Sequence, residues 1–375
     1  MPTRAGSLKT GSNWLSGGTV LRTLEELLAY AAEGGRLTEE EGLLLLEKAD
    51  LLALGQAAGA VRHRLNPSPY VTFVADRNIN YTNVCVCACK FCAFHRDKDA
   101  GDAYILAYDE VLAKVEELVK AGGTQVLIQG GLHPGIELEY IAGMFRAIKE
   151  RFAVEIHSLS PPEIVHLANR SGLSVAEVLV RLKDAGLDSL PGGGAEILVN
   201  RVRRIISPRK ITWQQWIEVM RTAHRLGLKS TATMMFGSVE TPAERIRHMI
   251  RIRDLQDETG GFTAFIPWSY QPQHTRLGGT KAGAAAYLRV LAVARLLLDN
   301  IPHIQVSWVT QGPRVAQVAL FFGADDFGST MMEENVVRAA GASYRMARDE
   351  IIRVIKDAGF TPAQRTTQYR IIRTF

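Results

Sequence analysis

Cys85-Val86-Cys87-Ala88-Cys89-Lys90-Phe91-Cys92 holds every cysteine of this 375-residue chain. Exported proteins spread cysteines to staple distant segments. Four thiols in one short stretch cannot do that, so the cluster points to metal ligation in a reducing compartment. Within it the spacing Cys85-x3-Cys89-x2-Cys92, with Phe91 before the third cysteine, supplies three thiolates. Three thiolates can ligate three irons of a four-iron cluster and leave the fourth iron without a protein ligand.

An open iron site can take the amino and carboxylate groups of the methionine in S-adenosylmethionine. One electron passed into the sulfonium then breaks a carbon–sulfur bond and leaves a carbon radical. Other readings account for less of the pattern. Structural zinc takes four ligands, typically in two spaced pairs; no second pair exists, although His95 offers a fourth donor. Cys89-Lys90-Phe91-Cys92 has the spacing of a thiol redox site, but that leaves Cys85 unexplained. Cys87 reads as a small buried hydrophobe or a spare thiol.

Outward from this loop, strands and helices alternate. The strand candidates are Tyr70–Ala75, Gln125–Gln129, Val154–His157, Asp188–Leu190, Lys229–Phe236, Phe262–Pro267, Ile304–Trp308 and Val318–Phe322. Between them Asp109 precedes an amphipathic run, Ser174/Glu177 and Thr212/Gln215 form capping boxes, and Thr241-Pro242 starts another helix. Eight such units predict an α/β fold, a parallel (β/α)8 TIM-type barrel over 70–330. A doubly wound open sheet is the alternative, but its first strand should lead into a glycine-rich turn and not into cysteines. Leucines at helical spacing and the Thr38/Glu41 capping box predict an N-terminal helical extension over 19–69. Residues 331–375 read as C-terminal helices packed on the barrel, and Met1–Gly18 as a flexible lead-in.

Barrel sites form where strands end, and the residues there are the candidates. Gln129-Gly130-Gly131 ends the second strand, where glycine lets backbone approach a ligand or simply turns. His157 and Ser158 end the third; they either contact a cofactor ribose or satisfy the core. Pro191-Gly192-Gly193-Gly194-Ala195-Glu196 follows the fourth. Glu196 either favours a helix N-terminus or holds the cofactor, with Arg203 paired to a methionyl carboxylate. Gly237 after the fifth strand gives room for an adenine or substrate edge. Asp325 and Glu333 are the candidate catalytic carboxylates, as general base or sugar-hydroxyl ligand, with a helix N-terminus as the bland alternative for Glu333.

The formal net charge is only +5 and no long basic run occurs, which argues against a nucleic-acid partner. No signal peptide and no transmembrane stretch is legible, so a cytoplasmic protein without a membrane partner is expected.

The CxxxCxΦC loop is the signature of the radical S-adenosylmethionine superfamily. Asn78–Cys85, Lys90–Phe94, Ile128–Pro134, His157–Pro162, Leu190–Glu196, Leu255–Phe262 and Ala324–Met332 together resemble the cyclic dehypoxanthine futalosine synthase family of menaquinone biosynthesis. The likeness runs from about Leu21 to Phe375. Aminofutalosine synthase is a similar family, but Ile266–Pro272 and Leu190-Pro191 resemble the cyclases more. One departure is visible: Cys87-Ala88 stands where that family usually has Asn-Arg-like residues. The resemblance implies cluster ligation by Cys85, Cys89 and Cys92, and methionyl amino binding near Gln129-Gly130-Gly131. It also implies dehypoxanthine futalosine as substrate, with hydrogen abstraction at C4′ and closure onto the benzoate ring. A reduced flavodoxin- or ferredoxin-type donor would supply the electron.

Overall fold

The computed structural model describes residues 22–375. The expected flexible lead-in, Met1–Gly18, lies outside the described residues. Among the described residues eleven strands form: β1 Tyr70–Val74, β2 Asp76–Ile79, β3 Gln125–Ile128, β4 Glu155–Ser158, β5 Ser189–Leu190, β6 Lys229–Phe236, β7 Phe262–Ser269, β8 His303–Ile304, β9 Asp326–Ser329, β10 Thr361–Arg365 and β11 Ile371–Thr374.

Strands β2 to β8 pair in chain order, all parallel. A single parallel bridge, Gln305 to Asp326, then joins β8 to β9. β9 pairs with β1, which runs into β2 across Ala75 alone. Hydrogen bonds from Thr330 N to Val74 O (3.0 Å) and Met332 N to Asp76 O (3.3 Å) continue that seam. The ladder thus returns to its starting segment, as a TIM-type barrel requires.

Three expectations are corrected. The first barrel strand is β2, not Tyr70–Ala75, whose neighbours are β9 and β10. Val318–Phe322 is not a strand but the end of helix Pro313–Ala319 and a 3-10 turn. Ala316, Ala319, Leu320 and Phe322 are buried while Val318 and Phe321 are exposed; that spacing belongs to a helix. The eighth strand is β9. Finally, the C-terminal part is not wholly helical. Helix Arg348–Asp357 is followed by β10 and β11, an antiparallel pair whose first member lies parallel to β1.

The turn between β10 and β11 closes the barrel floor. Thr367 donates its N–H to Glu155 (2.6 Å) and its hydroxyl to Gln125 (2.5 Å), both at the starts of strands. Tyr369 stacks on His303 with ring centres 3.7 Å apart.

Helices cover the outside. Capping boxes at Thr38, Ser174 and Thr212 start three of them as the sequence predicts, and the helix expected at Thr241-Pro242 starts with Pro242 and a capping box as well. Helices Leu24–Ala32, Glu39–Lys48 and Leu51–Leu65 pack with Ala284–Leu297 in the larger apolar core. Strand alternation sends Ile79, Val126, Ile128 and Ile156 outward into the helix layer. Asp76, Asn78, Gln125, His157, Thr231 and Thr233 face inward. A barrel interior is normally filled by branched apolar side chains. Here those polar side chains share the interior with Leu127, Ile266, Trp268 and Trp308, and together they enclose a cavity of about 280 Å³.

Candidate active site

The cysteine loop leaves the end of β2 and crosses the barrel mouth. Backbone bonds fix it on several sides: Cys85 N to Arg96 O (3.1 Å), Val86 N to Leu132 O (3.0 Å), and Lys90 N to Ile206 O (2.8 Å). Ala88 takes the left-handed conformation, φ 43°, and its carbonyl accepts from Arg276. Gly131 donates to Thr82 O at 3.0 Å. A Cβ on it would stand 2.2 Å from Val84 O, so only glycine lets the loop rest on the end of β3. Gly130 faces the Tyr81 ring in the same way and donates to Glu163 at 2.9 Å. Glu163 also accepts from Tyr81 (2.9 Å) and from Ser160, tying the ends of β2, β3 and β4 together. Sequence reasoning missed this carboxylate; its only signal was its place three residues after Ser160.

The thiols sit in this frame. Cys87 is buried, and its thiol donates to Arg209 O at 3.6 Å. The neighbouring Cys87 thiol pulls the Cys85 thiol down to about 5, against the opposing effect of burial. Cys89 is lowered for the same first reason, helped by the Lys210 ammonium. Burial pushes Cys92 up. Thiolate is the ligand form, so the chemistry of Cys85 and Cys89 fits a cationic iron–sulfur centre.

Below the loop the cavity is lined by Gln129, His157 and Glu196 among the predicted residues. His157 bonds through Nδ1 to Ser189 Oγ at 2.7 Å. Burial, with Arg365 nearby, drives its pKa down to about 3, so the imidazole is neutral. Glu196 has φ 41° and accepts from Lys210 at 2.9 Å through Oε1. Its Oε2 is buried without a hydrogen-bond partner among the described residues and lies 3.6 Å from Arg203, in a residue that lines the cavity. A methionyl ammonium is the donor such an oxygen fits.

Other predicted residues stand elsewhere. Arg203 is not free for a carboxylate: its guanidinium donates to the carbonyls of Gly194, Ala195 and Ile211. Its distance to Glu196 is 3.6 Å. It braces the glycine turn that carries Glu196. Ser158 points away from the cavity and donates to Ile128 O at 2.7 Å, because it alternates with His157. Gly237 makes a turn at φ 89° and donates to Glu240; it is not among the residues lining the cavity.

Neither candidate catalytic carboxylate reaches the cavity. Asp325 precedes β9 and so lies at the floor end, where Arg295 (2.9 Å), His303 (2.5 Å), Asn66 (3.0 Å) and Ile304 N (2.8 Å) all donate to it. Glu333 accepts from Arg77 (2.9 Å) and Lys114 (2.8 Å) on the helix side of β2. Both carboxylates are structural. Asp76, Asn78, Trp268, Trp308 and Lys210 were not singled out in the sequence. The first two stand in a polar stretch, Trp308 only closed a strand candidate, and Trp268 fell only within the Ile266–Pro272 likeness.

The radical SAM superfamily profile matches residues 79–252, and the CofH/MqnC C-terminal region profile matches 259–374. The cyclic dehypoxanthine futalosine synthase of Streptomyces coelicolor is 50% identical over 351 residues, 92% of this chain and 88% of that protein. Its namesake from Halalkalibacterium halodurans is 46% identical over 355 residues, 94% and 96%. The 5-amino-6-(D-ribitylamino)uracil–L-tyrosine 4-hydroxyphenyl transferase of Methanopyrus kandleri is 42% identical over 363 residues, 94% and 98%. Among solved structures, the hydrogenase maturase HydG of Carboxydothermus hydrogenoformans matches with TM-score 0.75 at 16% identity, over 92% of this chain and 80% of that one. Methylornithine synthase matches with TM-score 0.68 at 20% identity, over 90% and 97%.

Barrel, cysteine loop and profile together define a radical S-adenosylmethionine enzyme, whose cofactors are a [4Fe–4S] cluster and S-adenosylmethionine. Within that class the chain belongs to the cyclic dehypoxanthine futalosine synthase family.

Proposed function

We propose that this chain closes dehypoxanthine futalosine to cyclic dehypoxanthine futalosine in the futalosine route to menaquinone. The carrying observation is identity of 50% and 46% over nine-tenths of the chain to two synthases of that name.

Cys85, Cys89 and Cys92 would hold the cluster. Glu196, oriented by Lys210, would hold the cofactor together with Gln129 and the backbone at Gly130 and Gly131. Once bound, these groups would supply a carbon radical able to take a hydrogen atom from C4′ of the substrate sugar, and closure of C4′ onto the benzoate ring would then give up one electron to the redox partner and one proton as the ring regains aromaticity. The protein's own part is positioning. Holding reacting atoms in a near-attack geometry replaces a bimolecular encounter and lowers the barrier by several kcal/mol, about 7 or more in well-oriented cases. Trp268 and Trp308 give the cavity apolar walls that exclude water and stray hydrogen donors. His157, neutral at physiological pH, can contact a hydroxyl without adding charge.

A reduced flavodoxin- or ferredoxin-type protein supplies the electron. The reaction is placed in the cytoplasm, where thiols stay reduced; among the described residues no helix is long and apolar enough to cross a membrane.

Anaerobic turnover of the reconstituted, reduced protein tests the reading. Expected is a product lighter than dehypoxanthine futalosine by a pair of hydrogens, with 5′-deoxyadenosine released alongside. Product formed only from 5-amino-6-(D-ribitylamino)uracil and tyrosine would move the chain to the transferase activity of its archaeal relatives.

A further inference from the structure

One wall of the cavity carries a polar group with no partner. Asn78 lies at an inward position of β2 and is only 4% exposed. Its Oδ1 is fully buried and makes no hydrogen bond among the described residues. A buried amide oxygen left bare costs about 1–3 kcal/mol, so a ligand donor is the natural occupant of that position.

The neighbours of Asn78 are acceptors too. Asp76, two residues earlier on the same face, is 1% exposed. It receives only two long hydrogen bonds, from Gln125 and from Met331 N, both 3.2 Å. A carboxylate has about four lone-pair sites, so acceptor capacity remains. Burial lifts its pKa to about 6, which leaves it mostly ionised at pH 7. Ser329, at the end of β9 across the seam, lines the same wall. Its hydroxyl lies close enough to Asp76 to lower that carboxyl, yet forms no hydrogen bond of normal geometry.

We propose that Asp76, Asn78 and Ser329 form a subsite for the vicinal hydroxyls of the substrate's sugar. The proposal rests on the cyclase reading and deepens it. Hydroxyls fit this wall because they can donate to the carboxylate and amide oxygens and accept from the Asn78 amide and the Ser329 hydroxyl. The benzoate does not fit it, since Asp76 would repel a second carboxylate in a desolvated cavity. The sugar therefore sits against the β9–β2 seam and the aromatic ring lies toward the opposite wall. That fixes which face of C4′ is presented.

S-adenosylmethionine also carries vicinal hydroxyls, and the test separates the two sources. Cluster-loaded wild type, Asn78→Ala and Ser329→Ala are assayed with the natural substrate and with its 2′-deoxy and 3′-deoxy analogues. A site built to bond a hydroxyl rejects the analogue lacking it by a large factor, about 10-fold or more per lost bond. Expected is wild-type discrimination of that order in kcat/KM for at least one analogue. In both variants it collapses to within about threefold, and the KM for S-adenosylmethionine is unchanged. Unaltered discrimination in both variants overturns the proposal, and so does a rise in the KM for S-adenosylmethionine alone. Equilibrium dialysis of substrate and analogues against the unreduced protein repeats the comparison without turnover. A wild type that binds and discriminates but forms no cyclic product would refute the reaction while leaving the subsite standing. Ser329→Ala removes one oxygen only, and thermal melting of each variant separates misfolding from loss of recognition.

Discussion

At the residue scale, the difference between holding a ligand and holding the fold is decided by who already occupies a side chain's hydrogen bonds. Arg203 looks suited to a cofactor carboxylate, but every donor on its guanidinium is taken by backbone carbonyls. Arg203→Met should therefore lower the unfolding free energy of the cluster-free protein by about 3 kcal/mol, because buried carbonyls and Glu196 lose their partner. Urea titration checks this; unchanged stability, with only cofactor binding impaired, would restore the ligand role. Cys87 poses the converse case. It is no member of the ligand triad, yet the nearness of its thiol is the chief reason Cys85 is acidic. Cys87→Ala should keep full iron content after reconstitution, whereas alanine at Cys85, Cys89 or Cys92 should abolish it. In the cluster-free protein the same Cys87→Ala change should raise the Cys85 pKa from about 5 toward that of an ordinary thiol. Alkylation of Cys85 followed against pH would show the inflection move upward.

At the scale of elements, the loop and the strand beneath it are one unit. Gly131→Ala places a methyl against the Val84 carbonyl, which cannot retreat because Cys85 and Val86 are both pinned by backbone bonds. The expected result is a protein that melts near wild type but loses most of its iron on gel filtration; full iron retention would show that the loop can shift. Legibility followed locality. The cysteine spacing, the glycines at Gly130 and Gly131 and the capping boxes carry their meaning within a few residues, and they were readable. β2 was not readable, because Asp76-Arg77-Asn78 interrupts the apolar pattern that marks a strand. Those polar residues are there because one side of the strand faces a cavity, so the feature that makes the site also hid the element. Val318–Phe322 failed for the opposite reason: a short apolar run has no period long enough to tell helix from strand. β10 and β11 went unseen because β10 buries polar Gln364 on one face and Arg365 on the other, and Ile371 and Ile372 of β11 are exposed.

For the whole molecule, the polar barrel makes stability a function of pH through groups that burial shifts in opposite directions. His248 is fully buried, and burial, with Arg203 beside it, lowers its pKa from 6.5 to about 3. His157 is lowered to about 3 and His224 to about 4, mainly by burial. Each is neutral when folded and protonated when unfolded between its two pKa values. The unfolded state thus binds more protons there, and stability falls as pH drops from about 6.5. Asp76 runs the other way: raised from 3.8 to about 6, it is protonated in the folded state across that interval and ionised in the unfolded one. It therefore adds stability as pH falls through 6 and offsets part of the histidine loss. Glu163 and Glu334, also raised chiefly by burial, act with Asp76, so differences between variants are the sharper measure. Near pH 5, Asp76→Asn should increase net proton uptake on unfolding by about one, and steepen the stability slope by about 1.4 kcal/mol per pH unit. Histidine-to-glutamine at position 248 should decrease uptake by about one. Unfolding at pH 5 in two buffers of different ionisation enthalpy gives the uptake directly. Equal slopes for wild type and Asp76→Asn would mean that the carboxyl facing the cavity is not desolvated, and that the barrel interior is wetter than its lining residues describe.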